Sequence, residues 1–187
     1  MKTLLVYVHL IAACIAVGIL LIQDLALSKQ RGRPMDTEAV GDLQKSAGMV
    51  FVALVILWIS GLGLVVQGFL DNPAYLMNQK LWAKFTVVSI LTLNGLFLHY
   101  YSFPKLISAK GFIGQGVSEQ FLILVTATIS GVSWLYACYL GIARPWNNVA
   151  SYIYVMTIYA GCMGFALLIA IEYWRGLRND YDAYVMR

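Results

Sequence analysis

The chain has 187 residues with 60% hydrophobic and only 12% charged, and a mean hydropathy of +0.74, which excludes an ordinary soluble domain. Its 13 basic against 9 acidic residues sit mostly in loops; with no RNA- or DNA-binding motif, that excess suits anionic membrane lipids and excludes nucleic acid. What remains is one all-α membrane bundle over residues 1–187, with short loops and no separate soluble domain.

Five runs can each cross a hydrocarbon core that needs about 20 apolar residues. They lie near Leu4–Leu27, Ala47–Leu70, Leu81–Tyr101, Gln120–Ile142 and Val149–Trp174. A β-barrel is excluded, because its alternating ten-residue segments do not match continuous apolar runs.

The opening Met1-Lys2 and the apolar run after it have the look of a signal peptide, and Ile11-Ala12-Ala13-Cys14 resembles a lipoprotein cleavage site. The apolar run nevertheless continues to Ile22, where a lipoprotein has a polar tether, so an uncleaved first span is expected. The polar segment Ser28–Ser46 opens as SKQRGRP, and Asp36 or Thr37 is placed to cap a helix running on into span two. In the next loop Asn72-Pro73 signals a turn, and Tyr75 and Trp82 read as aromatic anchors at the membrane interface. Lys80 and Lys84 beside them have a bland explanation as snorkelling side chains. Ser118-Glu119 is placed to cap span four, ARPWNN at Ala143–Asn148 makes a tight turn, and the tail is aromatic and charged.

Cys14, Cys138 and Cys162 fall inside spans without a C-x-x-C or a C-x-x-C-H, and read as packing residues. Small residues at Ser60-Gly61-Leu62-Gly63, Ser130-Gly131 and Gly161-Cys162-Met163-Gly164 mark close helix approach or room for a flat cofactor.

Orientation follows from the basic residues. One side of a five-span chain holds nine: Lys29, Arg31, Arg33, Lys45, Lys105, Lys110, Arg175, Arg178 and Arg187. The other holds four: Lys2, Lys80, Lys84 and Arg144. The positive-inside rule then puts the N-terminus outside and the C-terminus in the cytoplasm, with spans one and three running the same way.

Two pairs of ionisable residues in those spans stand out. Fifteen residues separate His9 from Asp24, and fifteen separate Lys84 from His99. Fifteen steps of 100° return to within about 60°, so each pair shares a helix face. By helical rise His9 and Lys84 lie about 7 Å and about 5 Å below the outer boundary, and Asp24 and His99 about 30 Å and about 27 Å below it. Parallel spans would thus form an outer rung, His9 with Lys84, and an inner one, Asp24 with His99, the latter a proton entry or exit point. Ionisable groups inside a span are costly and raise a functional hypothesis, although all four near interfaces also have access to water.

A neutral imidazole can coordinate haem iron, and a helical bundle can hold the macrocycle. A lysine at the same depth can pair with a propionate or, once deprotonated, supply a sixth ligand. With two histidines at opposite edges, bis-histidine ligation of one haem and a multi-histidine metal site are excluded, and no serine or cysteine nucleophile has a suitably placed histidine.

YVHLIAACIAVG in span one together with KLWAKFTVVSIL opening span three resembles the superfamily that contains HemJ-type protoporphyrinogen oxidases and the membrane domain of copper-resistance D proteins. The likeness covers about the first three spans. It implies a functional pair at His9 and Lys84 with bound haem b. Where the HemJ-type pattern continues with a tyrosine-histidine pair, this chain reads LTLNGLFLH, so haem binding carries over more directly than porphyrinogen oxidation. GILLIQD at Gly18–Asp24, LTLNGLFLH and SGVSW at Ser130–Trp134 are similar to a further group of bacterial membrane proteins that has no assigned activity.

The expectation is a multi-pass protein of the bacterial inner membrane that binds haem b through His9 and Lys84 and takes part in redox chemistry, as an electron carrier or an oxidase. Quinone or porphyrin would be its small-molecule partner, and no catalytic residue is assigned. The alternatives are a non-catalytic accessory subunit of a larger membrane complex, and a proton- or ion-coupled carrier using Asp24 and His99; protein partners would be further copies in a homo-oligomer or the subunits of such a complex. The carrier is disfavoured by the lack of centrally broken spans and of an inverted repeat.

Overall fold

The computed structural model describes residues 2–30 and 33–185, with side chains to Tyr181; of the basic residues counted above, Arg31 and Arg187 lie outside the described residues. Five helices make up the bundle: α1 (Lys2–Lys29), α2 (Thr37–Asp71), α3 (Gln79–Leu106), α4 (Val117–Ile142) and α5 (Tyr152–Val185). All five are long and apolar enough to cross a membrane, and no strand occurs among the described residues. Hydrocarbon offers no partner to a free backbone amide, so an unbroken apolar run satisfies itself as a helix.

The ends are set by short polar side chains. Asp36 caps α2 by accepting from the Ala39 amide at 2.8 Å, as its position suggested. Asn78 does the same for α3, accepting from the Lys80 amide at 3.2 Å. At α4 the cap is Gly116 and not Ser118; Glu119, on the first turn, reaches back to accept from the Gly116 amide at 3.2 Å. Span five starts later than expected, because Asn148 turns the chain with φ 58°, a left-handed conformation that asparagine tolerates.

α3 runs past Tyr101 in spite of Pro104. Residues Leu98–Ser102 widen into a π turn, in which the Phe103 amide bonds to the Leu98 carbonyl. The wider turn accommodates a proline that can neither donate its own amide nor clear the preceding carbonyls of a regular helix.

α1 packs chiefly on α2, α3 on α4, and α5 on both α3 and α4. Ala12 and Ala16 of α1 meet Ala53 and Leu57 of α2, where small side chains let two backbones approach; Leu91 of α3 and Trp134 of α4 close this cluster. A second cluster joins Ala83 and Val87 of α3, Tyr136 and Leu140 of α4, and Val155 and Tyr159 of α5. The buried positions 83, 87, 91 and 94 of α3 recur every three or four residues, one face of a helix turned inward. Hydroxyl and indole groups tie the helices laterally: Tyr136 donates to the Val155 carbonyl at 2.6 Å, and Trp58 donates to Thr92 at 3.0 Å.

Candidate functional site

At the end of the bundle nearest Lys2, four helices contribute to a polar site: His9 from α1, Ser60 and Gly61 from α2, Lys84 from α3 and Gly141 from α4. Ser60 is 2% exposed, and its hydroxyl donates to the Ile56 carbonyl at 2.6 Å, the back-bond usual for a serine within a helix. With that proton committed, the Ser60 oxygen is the acceptor for His9 Nδ1–H at 2.8 Å. With Ser60 as acceptor the proton of the neutral ring is on Nδ1 and the lone pair on Nε2; the Leu57 carbonyl is a further hydrogen-bond partner of the ring. Gly61 makes room for the imidazole: a Cβ there would stand 3.3 Å from His9 Cε1.

Lys84 is the second member. Its Nζ lies 3.8 Å from where a Cβ of Gly141 would be, and near enough to His9 for its charge to oppose protonation of the imidazole. Cys138 lies within the same electrostatic range of Lys84. Lys84 is half-buried and makes no hydrogen bond or ion pair among the described residues. Lys80, one turn earlier, differs: it is 7% exposed and donates to the Ala143 carbonyl at 2.7 Å and to Asn147 Oδ1 at 2.8 Å. It staples the start of α3 to the turn between α4 and α5 and is not a snorkelling side chain.

The inner pair is not assembled. Asp24 and His99 are both exposed, His99 stands edge-on to Tyr100 with ring centroids 5.1 Å apart, and no hydrogen bond or ion pair joins His99 to Asp24 among the described residues. Their helices, α1 and α3, are not each other's main packing partners. Equal depth places two residues on one level, but only helix adjacency brings them into contact.

The small residues divide as well. Gly61 and Gly63 are covered by His9 and Leu5 of α1, whereas nothing approaches within 4 Å of the Cβ positions of Gly131, Gly161 and Gly164. Ser60 is what sequence reasoning missed at this site. Its signal was present in Ser60-Gly61, a hydroxyl beside a missing side chain, but only the pairing of α1 with α2 gives it His9 as partner.

The donor set can be tested against metal chemistry. No group of three His, Cys, Asp or Glu side chains among the described residues could hold a metal ion. The site itself offers one imidazole, from His9, and one ammonium, from Lys84. Lys84 makes no ion pair among the described residues. Comparison with protein families, with curated proteins and with solved structures finds no match to this chain.

Proposed function

We propose that the chain is a haem-b-binding membrane redox protein, with His9 as axial ligand and Lys84 as the propionate partner or sixth ligand. The observation that carries this reading is the Ser60–His9 bond, which commits Nδ1–H and leaves Nε2 as a lone-pair donor inside a membrane bundle. Haem b, when bound, supplies reversible one-electron chemistry, serving electron transfer or porphyrinogen-type oxidation. Ser60 sets the tautomer and rotation of the imidazole. Gly61 leaves it space, and Lys84 offers an uncommitted cation at the same end of the bundle. In this reading the protein sits in a bacterial inner membrane.

An absorbance spectrum tests it directly. Protein purified from cells supplied with haem precursor is expected to carry a Soret band, and His9→Ala is expected to lose it while the bundle stays assembled. Wild-type protein that stays spectrally empty under those conditions ends the proposal. Leadership would then pass to the accessory-subunit reading, which is favoured by Ala160 and Gly164, exposed on α5 in the small-xxx-small spacing of membrane helix contacts. Co-purification of stoichiometric membrane partners would support it.

A further inference from the structure

The helices fall into two groups, and the polar site lies between them. α1 runs along α2, and α3, α4 and α5 lie together, whereas α1 meets α4 over a short stretch and the backbones of α2 and α3 scarcely approach. His9 and Ser60 belong to the first group, Lys84 and Gly141 to the second. Anything held by both His9 and Lys84 is therefore held across the line where the groups meet.

The approaches to that line are unequal. At the outer end it is covered: Lys2 pairs with Asp71 at 3.0 Å, and Lys80 staples α3 to the α4–α5 turn. Tyr75, in the α2–α3 loop, lies so close on Gly68 that a Cβ there would fall 2.8 Å from its ring. On the α1–α4 side the buried Trp134 is packed in one cluster with Ala12 and Ala16. On the α2–α3 side, side chains alone close the gap. The Trp58 ring stands 6.0 Å from that of Phe85, tilted by 52°, and its indole donates to Thr92 Oγ1 at 3.0 Å. The Thr92 hydroxyl gives its own proton to the Val88 carbonyl at 2.8 Å, which fixes it as the acceptor. No ion pair or other side-chain hydrogen bond joins α2 to α3 among the described residues. Trp58 and Phe85 are half-buried, and Ile59, Leu62 and Trp82 beside them face outward.

We propose that the α2–α3 seam is the entrance to the site and opens to lipid, with the Trp58–Thr92 bond as its latch. This entrance rests on the haem reading and deepens it: the cofactor is taken up from the membrane and not from the water above. Turning one indole about its side-chain torsions unblocks the seam, whereas parting α1 from α2 or α3 from α4 would break a packed interface. Lys84, inside the seam, then meets the propionates, and Phe85 remains as a wall.

Apoprotein in phosphatidylcholine vesicles, mixed with haemin and followed by the growth of the Soret band, reads the proposal. Thr92→Val keeps the shape and removes the acceptor. It is expected to fill about threefold faster than wild type, the factor that one hydrogen bond between membrane helices is worth, and to reach the same final band. Trp58→Ala, which lacks the closing ring, should fill faster still. Thr92→Ser restores the acceptor and should restore the wild-type rate. Tyr136→Phe loses a hydrogen bond between α4 and α5, controls for general loosening and is expected to fill as wild type does. Dilution at a fixed ratio of haemin to lipid should leave the rate unchanged, because uptake follows concentration in the membrane. A wild-type rate in Thr92→Val, an equal gain in Tyr136→Phe, or a rate that follows aqueous haemin overturns the entrance. Wild-type protein that develops no Soret band overturns the haem reading and the entrance with it, an outcome distinguished from the others by the empty spectrum.

Discussion

Lys80 and Lys84 are one helical turn apart and do different things, because of what each ammonium reaches. Lys80 spans from the start of α3 to the turn between α4 and α5 and satisfies a carbonyl and an amide oxygen there. Lys80→Met would leave the buried Ala143 carbonyl short of a donor, whereas the exposed Asn147 can turn to water, and should lower stability by about 1–3 kcal/mol. Unfolding in mild detergent with added denaturant measures this. Lys84→Met removes no hydrogen bond, and its stability should change by less than that of Lys80→Met. In the haem reading its consequence is spectral: loss of a sixth ligand changes the spin state, whereas loss of a propionate partner leaves the spectrum and weakens haem retention. Gly61→Leu belongs with these. A side chain placed 3.3 Å from the imidazole must push it from Ser60, so this variant should lose haem as His9→Ala does.

At the level of elements, the five helices were legible because a continuous apolar run has one solution in lipid. Their ends were legible where a side chain caps the helix, as at Asp36. They were misjudged where backbone geometry decided, as at Asn148 and in the π turn before Pro104. The polar seam between α3 and α4 was not legible, since Asn94, Ser102 and Thr126 become partners only once the helices dock. Asn94 Nδ2 donates to the Thr126 carbonyl at 2.9 Å, and the Ser102 and Thr126 hydroxyls stand 3.0 Å apart. Hydrogen bonds between membrane helices average about 0.6 kcal/mol. Asn94→Leu fills the space with an apolar group but forfeits the bond, so it should destabilise the α3–α4 pair by roughly 1 kcal/mol, read from reversible unfolding. A much larger loss would mean that the π turn depends on this seam.

For the whole molecule, helical rise was enough to predict that His9 and Lys84 share an end, but the inner pair needed α1 and α3 to be packed neighbours, a fact about assembly that no single helix encodes. The orientation expected from the sequence rests on counts of loop charges. On the side of Lys2, that lysine is paired with Asp71 at 3.0 Å and Lys80 is held by loop oxygens, leaving Arg144 as the exposed loop cation without such a partner. On the other side Lys105 is paired with Glu119 and Arg175 with Glu172, yet Lys29 and Arg33 remain uncommitted. Among the described residues these bonds commit two cations on each side, so they do not cancel the nine-to-four asymmetry in the sequence. Cationic loops resist transfer across the membrane and meet the anionic leaflet on the cytoplasmic side. A reporter fused after Arg187 should be active in the cytoplasm, and one fused before Met1 should be accessible from outside. Replacing Lys29, Arg33, Lys45 and Lys110 together with glutamine reduces nine to five, close to parity with four, and should give a mixed population by protease accessibility; a uniform orientation in that variant would show that the loop charges do not set it.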